Sequence, residues 1–143
     1  MKLYNYKRLN AKQVEKKCRQ IFIENYIRDV NNNKILIYTT LKERVIFNEN
    51  DFSHAFSYRN KRNGVEEFSF QRARRVLWIK EVVTGKCPSV RKEIGKEVYF
   101  YYNSRQEYIV FLKKLSWGGL LFITHYVAKS KKKQDWIRKN ILS

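Results

Sequence analysis

Proline is almost missing from this sequence: Pro88 stands alone among 143 residues, beside five glycines. That scarcity excludes collagen-like repeats, Gly-rich linkers and Pro-rich recognition segments. Cysteine is nearly as scarce. Cys18 and Cys87 are too few for a disulfide framework, and neither belongs to a metal-binding motif. The two histidines, His54 and His125, form no HExxH motif, and no CxxC or close carboxylate pair followed by glycine occurs. Neither a structural zinc site nor a two-metal nuclease centre is therefore expected. No Walker-type glycine loop is present. No apolar run reaches the roughly 18 residues that span a bilayer. The opening Met1-Lys2-Leu3-Tyr4-Asn5-Tyr6-Lys7 has no apolar signal core. The expectation is a cytoplasmic protein with no membrane association, no cofactor and no metal.

Acidic residues are also in short supply. Thirty-one Lys and Arg face 13 Asp and Glu, a formal charge of +18. Such a surplus on a small chain creates a field of several kT at its surface. Nucleic acid is the commonest partner for that field, because each phosphate contact releases a condensed counterion. A membrane-surface protein would show a basic helix with a strong apolar face, and the run from Lys129 to Lys139 is only weakly apolar. An acidic protein partner is compatible with RNA, since a toxic basic nuclease needs an acidic inhibitor, an antitoxin or immunity protein. Aromatic residues make up 15% of the chain. Disordered basic tails lack such content, so the chain reads as folded, and its length suits one domain.

Along the chain, residues 10–20 read as a helix capped by Asn10, with Val14, Cys18 and Ile21 on one face. Whether it continues through 21–27 or becomes a strand stays open. Asn31-Asn32-Asn33 is a turn and 34–40 a strand, while 44–47 fits either a strand or a helix start. Residues 51–67 read as polar and irregular. Ser69 caps a helix expected from Phe70 to Thr84, ended by Gly85 and Pro88. Strands follow at 97–102, 107–112 and 119–127, joined by short turns that favour an antiparallel meander. Ser130 caps a last basic helix over 130–141. The expected fold is α+β: N-terminal helices, then a mainly antiparallel four-stranded sheet with one long helix packed on it. The expected organisation is a single domain, with residues 1–44 as an extension and 45–143 as the core.

A basic protein that cuts nucleic acid without metal must use the RNA's own 2′-hydroxyl as nucleophile. One group takes the 2′ proton, one protonates the leaving 5′ oxygen, and cations stabilise the charge gathering at phosphorus. Three blocks hold suitable types: 51–59 with His54, 68–79 with Arg72, Arg74 and Arg75, and 120–126 with Thr124, His125 and Tyr126. In the third block a period of two sets Phe122, Thr124 and Tyr126 on one face and Leu121, Ile123, His125 and Val127 on the other.

Taken in order, these blocks resemble a known family. His54 near phenylalanines is followed by Phe68-x-x-x-Arg72-Ala73-x-Arg75-Val76-x-Trp78-Ile79, then hairpin strands, then Phe122-Ile123-Thr124-x-Tyr126. The series, across roughly residues 45–128, resembles the phage- and mobile-element-borne nucleases of the barnase–EndoU–colicin–RelE superfamily. The resemblance implies metal-independent endoribonuclease activity, often in toxins or phage conflict, on structured RNA such as tRNA. It implies His54 as acid or base, Arg72 as the phosphate clamp with Arg75 as a second candidate, and Thr124 and Tyr126 as the strand pair. Many relatives resemble Ile-Thr-Ala-Tyr where this chain has His125, which either adds a second acid/base group or is incidental. Arg59, Arg75, Lys80, Lys131, Lys132 and Lys133 are further candidates for RNA contact. Two other readings stand beside this one: a non-catalytic basic RNA-binding module, and a basic protein that binds an acidic partner.

Overall fold

Asn10 and Gln13 exchange two hydrogen bonds, each side chain accepting from the other's backbone N–H at 3.0 and 2.9 Å. This reciprocal cap starts α1 (Ala11–Tyr26). The computed structural model describes all residues from Met1 to Ser143. After α1 come β1 (Ile37–Tyr38), β2 (Arg44–Ile46), α2 (Phe52–Ala55), β3 (Ser57–Arg59), β4 (Glu66–Phe68), α3 (Phe70–Ala73) and α4 (Trp78–Val83). The chain ends with β5 (Val90–Ile94), β6 (Val98–Asn103), β7 (Tyr108–Lys114), β8 (Leu120–Val127) and α5 (Lys131–Asn140). Two units form: residues 1–36 with 47–78, and residues 37–46 with 79–143.

In the first unit the open question about residues 21–27 resolves as helix. Val14, Cys18, Ile21, Phe22 and Tyr26 are all buried along one face of α1. Phe22 is the hub of an aromatic core, with ring centroids of Tyr26, Phe47, Phe52 and Phe56 between 5.4 and 6.1 Å away. The stretch expected to be irregular folds into α2 and the β3–β4 hairpin, paired Ser57↔Phe68, Tyr58↔Glu67 and Arg59↔Glu66.

The single helix expected from Phe70 to Thr84 is broken. Between α3 and α4 the N–H groups of Arg75, Val76 and Trp78 reach back three residues rather than four, to the carbonyls of Arg72, Ala73 and Arg75. The tertiary cause is visible. The Tyr6 hydroxyl donates to the Ala73 carbonyl at 2.7 Å, the Tyr4 N–H to Arg74 at 2.8 Å, and the Tyr26 hydroxyl to Val76 at 2.6 Å. Carbonyls that a continuous helix would use internally are held by α1 and the N-terminal segment. Helix propensity yields to these buried bonds.

The second unit corrects the expected sheet. It has six strands, not four, in the order β1-β2-β8-β7-β6-β5, and it is mixed. Strand β2 runs parallel to β8, with Val45 beside Leu120 and Ile46 beside Leu121, while the other pairs are antiparallel. The two-stranded β3–β4 sheet is separate. β5 escapes sequence reading because three of its five residues, Arg91, Lys92 and Glu93, are charged, a composition that suits an edge strand. The helix seated on this sheet is α5. Its Ile137 shares a cluster with Phe100, Tyr102, Ile109 and Ala128. Both sides of β6 are buried, Tyr99 and Tyr101 as well as Phe100 and Tyr102.

Candidate functional site

The face pattern expected for β8 is altered by a bulge. Phe111 pairs with Thr124 but Leu112 pairs with Phe122, so Ile123 is the extra residue. One inserted residue shifts the alternation. Phe122 therefore shares a face with His125, not with Thr124, and their ring centroids lie 6.0 Å apart. Thr124 and Tyr126 remain together, on the side of Phe111 and Ile109, the α5 side of the sheet. His125 is fully buried, and its Nδ1 shares a hydrogen bond of 2.8 Å with the Tyr108 hydroxyl. The Lys133 ammonium sits 4.2 Å from the Tyr126 ring centroid. Lys131 and Lys132 are exposed in the first turn of α5, which Ser130 caps through the Lys133 N–H at 3.2 Å. Lys80 is half-buried on α4. This unit thus holds Thr124, Tyr126 and Lys133 on the α5 side, with His125 facing away.

The first unit holds His54, Arg59, Arg72 and Arg75. α2 and α3 are tied at their junction with the hairpin. The Ser69 N–H donates to the Phe56 carbonyl at 2.7 Å, and the Ser69 hydroxyl caps α3 by accepting from the Arg72 N–H at 3.1 Å. The Arg72 guanidinium donates to the Ala55 carbonyl at 3.3 Å. Arg72 therefore meets the residue that follows His54 in the chain. His54 is exposed, and its Nδ1 stands 3.5 Å from the Glu66 carboxylate across on β4. Arg59 lies opposite Glu66 in the hairpin register. Arg75 stacks on Trp78 with 4.9 Å to the ring centroid and donates to the Gln71 carbonyl at 2.8 Å.

Two residues of this surface escape sequence reasoning. Glu66 is invisible while 51–67 reads as irregular, yet a signal exists: Ser57-Tyr58-Arg59 and Glu66-Glu67-Phe68 flank a turn closed by Gly64 at φ +69°. Arg19 of α1 is the other. Its guanidinium lies 4.6 Å from the Phe52 ring centroid and donates to the Ser53 hydroxyl at 3.3 Å. No spacing in the sequence announces it, because the contact joins residues 34 apart. Farther along the hairpin, the Tyr58 hydroxyl donates to Glu67 at 2.9 Å, and that carboxylate raises the phenol's pKa above its ordinary value.

No group of three or more His, Cys, Asp or Glu side chains is placed to hold a metal ion. No helix is long and apolar enough to cross a membrane. No family model, curated protein or solved structure matches the chain.

Proposed function

We propose that this protein is a metal-independent endoribonuclease that cuts structured RNA through the RNA's own 2′-hydroxyl and leaves a 2′,3′-cyclic phosphate. The observation that carries the reading is the joining of α2 and α3: Arg72 bonds to the carbonyl beside His54, and His54 faces Glu66 at 3.5 Å. An exposed imidazole, a carboxylate and a guanidinium are the groups this reaction asks for. His54 transfers a proton at the 2′ or the 5′ oxygen. Glu66 orients the ring and offsets the charge it gains. Arg72 offers planar N–H donors to the scissile phosphate, and Arg59, Arg75 and Arg19 add positive charge to the RNA-facing surface. For Thr124, Tyr126 and His125, which lie in the second unit, the catalytic roles rest on the family resemblance alone, and His125 has no exposed surface from which to exchange a proton with RNA. The charge of +18 supports RNA as the substrate. An acidic antitoxin or immunity protein is the inhibitor such an enzyme would require.

The non-catalytic RNA-binding reading is favoured by one observation: His125 has no exposed surface. Cleavage of RNA by the parent protein and by His54→Ala in excess EDTA decides between the two. Loss of cleavage in the variant with binding retained supports the enzyme. Binding without cleavage by the parent supports the module.

A further inference from the structure

A second feature of the first unit is a recess of about 290 Å³ between the N-terminal segment and the start of α3. Leu3, Tyr4, Tyr6, Lys7, Phe70 and Arg74 line it. Phe70 leaves 47% of its surface exposed, a high value for a phenylalanine whose neighbours Ser69 and Ala73 are buried. Tyr6 lies behind it, ring centroids 6.2 Å apart, and Tyr4 stands 4.6 Å from Tyr6. The backing is buried and hydrogen-bonded. Tyr6 is buried with its hydroxyl on the Ala73 carbonyl, and the Tyr4 N–H donates to the Arg74 carbonyl at 2.8 Å. The Arg74 guanidinium is 5.6 Å from the Phe70 centroid. Lys7, also on the lining, sits in a left-handed turn, φ 54°, and its N–H donates to the Asn5 side chain at 2.8 Å.

Three rings and two cations line the recess, and no carboxylate does. A cage for an ammonium ligand joins aromatic rings without opposing cations, so a cationic guest does not suit it. A guest with a flat π face and negative charge at its edges does. A nucleotide of a single strand has both, and base-on-aromatic stacking accepts any base because every base has a π face. We propose that the recess is a nucleobase subsite: one unpaired base stacks on Phe70, while Arg74 and Lys7 meet the phosphates on either side. The proposal deepens the RNA reading and rests on it, since it places an unpaired nucleotide in a pocket apart from His54 and Arg72.

The test is equilibrium binding of a labelled eight-nucleotide single-stranded 2′-O-methyl RNA, which lacks the nucleophile for cleavage, beside an abasic strand of equal length and charge. The full chain is compared with Phe70→Ala, Phe70→Leu and Arg74→Ala. Phe70→Leu keeps the apolar bulk against Tyr6 while removing the π face, and thermal melting of each variant checks folding. Both Phe70 variants are expected to lose about tenfold in affinity for RNA and to bind the abasic strand like the parent. Arg74→Ala should weaken both ligands and reduce the salt dependence. Equal RNA affinity in the parent and Phe70→Leu overturns the subsite, as does an equal loss for the abasic strand. A second readout needs no variant: a 5-iodouridine strand photocrosslinked to the parent should mark Tyr4, Tyr6 or Phe70, and crosslinks found only elsewhere contradict the proposal. Cleavage by the parent with no Phe70 effect removes the subsite and leaves the ribonuclease standing. A Phe70 effect without cleavage by the parent does the reverse.

Discussion

His54 Nδ1 and Glu66 Oε1 stand 3.5 Å apart with side-chain exposures of 66% and 50%. A pair this exposed stabilises a fold by about 0–1 kcal/mol once protonated. In the proposed reaction the carboxylate positions the imidazole. Glu66→Gln should leave the unfolding midpoint nearly unchanged while lowering saturated cleavage by about 10–10²-fold, and His54→Ala by about 10²–10⁴-fold. Single-turnover rates beside denaturation curves check both. Parent-like rates in Glu66→Gln would detach the pair from the chemistry.

Arg72 separates chemistry from adhesion. A guanidinium aimed at the developing charge strengthens its contact in the transition state, and an ammonium cannot meet two phosphate oxygens in the same way. Arg72→Lys should lose much of its turnover at saturating RNA and keep most of its affinity. Lys132→Ala, on the exposed first turn of α5, should lose affinity modestly and keep its turnover. An affinity loss alone in Arg72→Lys assigns that residue to the binding surface and moves the search for the catalytic cation to Arg75, Arg59 or Lys80.

The second unit offers a pH test independent of function. Arg91 donates to both carboxylate oxygens of Glu43, the bond from Nη2 measuring 2.7 Å, and the Thr39 hydroxyl donates to the same group at 2.8 Å. Hydrogen bonding to Arg91 holds the Glu43 carboxyl below its ordinary range, against the opposing effect of burial. A depressed folded value contributes stability above the unfolded value, about 4.3, which is lost as pH falls through the lower folded value. Glu43→Gln should cost about 1–3 kcal/mol at neutral pH. It should also flatten the fall in stability below pH ~4.3. Parallel pH–stability curves for parent and variant would contradict the assignment.

Much of the fold was legible where local chemistry acts alone. Asn10, Ser69 and Ser130 all cap helices, Ser69 a four-residue one in place of the longer helix expected, and β6, β7 and β8 lie where alternation and bulk place them. What was hidden depends on partners distant in sequence. The break after Ala73 is made by the hydroxyls of Tyr6 and Tyr26, 67 and 50 residues away from their acceptors. The parallel strand β2 has no pattern of its own in three residues. The bulge at Ile123 moves Phe122 to the His125 face without any glycine to announce it. For the candidate site, His54 and Arg72 were readable as residue types, but their shared junction through Ala55, and the Glu66 beside His54, required the hairpin.

Cys18 reports on the first unit's core. Cys18 is fully buried, and burial pushes its thiol up to about 12. Cys87 is partly exposed. Iodoacetamide at pH ~8 should label Cys87 alone in the native protein and both thiols in denaturant, since the thiolate is the nucleophile and access is required. Rapid native labelling of Cys18 would mean that α1 opens on the experimental timescale.

Incubation with total RNA in excess EDTA, followed by mapping of the new ends, decides whether this protein cleaves RNA without metal. The predicted result is persistent cleavage by the parent, 2′,3′-cyclic phosphate at the upstream ends, and a loss of about 10²–10⁴ in His54→Ala. RNA binding by both proteins should weaken about tenfold or more between roughly 50 and 200 mM salt. Strict dependence on magnesium would contradict attack by the 2′-hydroxyl through these side chains. Tight, salt-sensitive binding with intact RNA would leave a binding module in place of the enzyme.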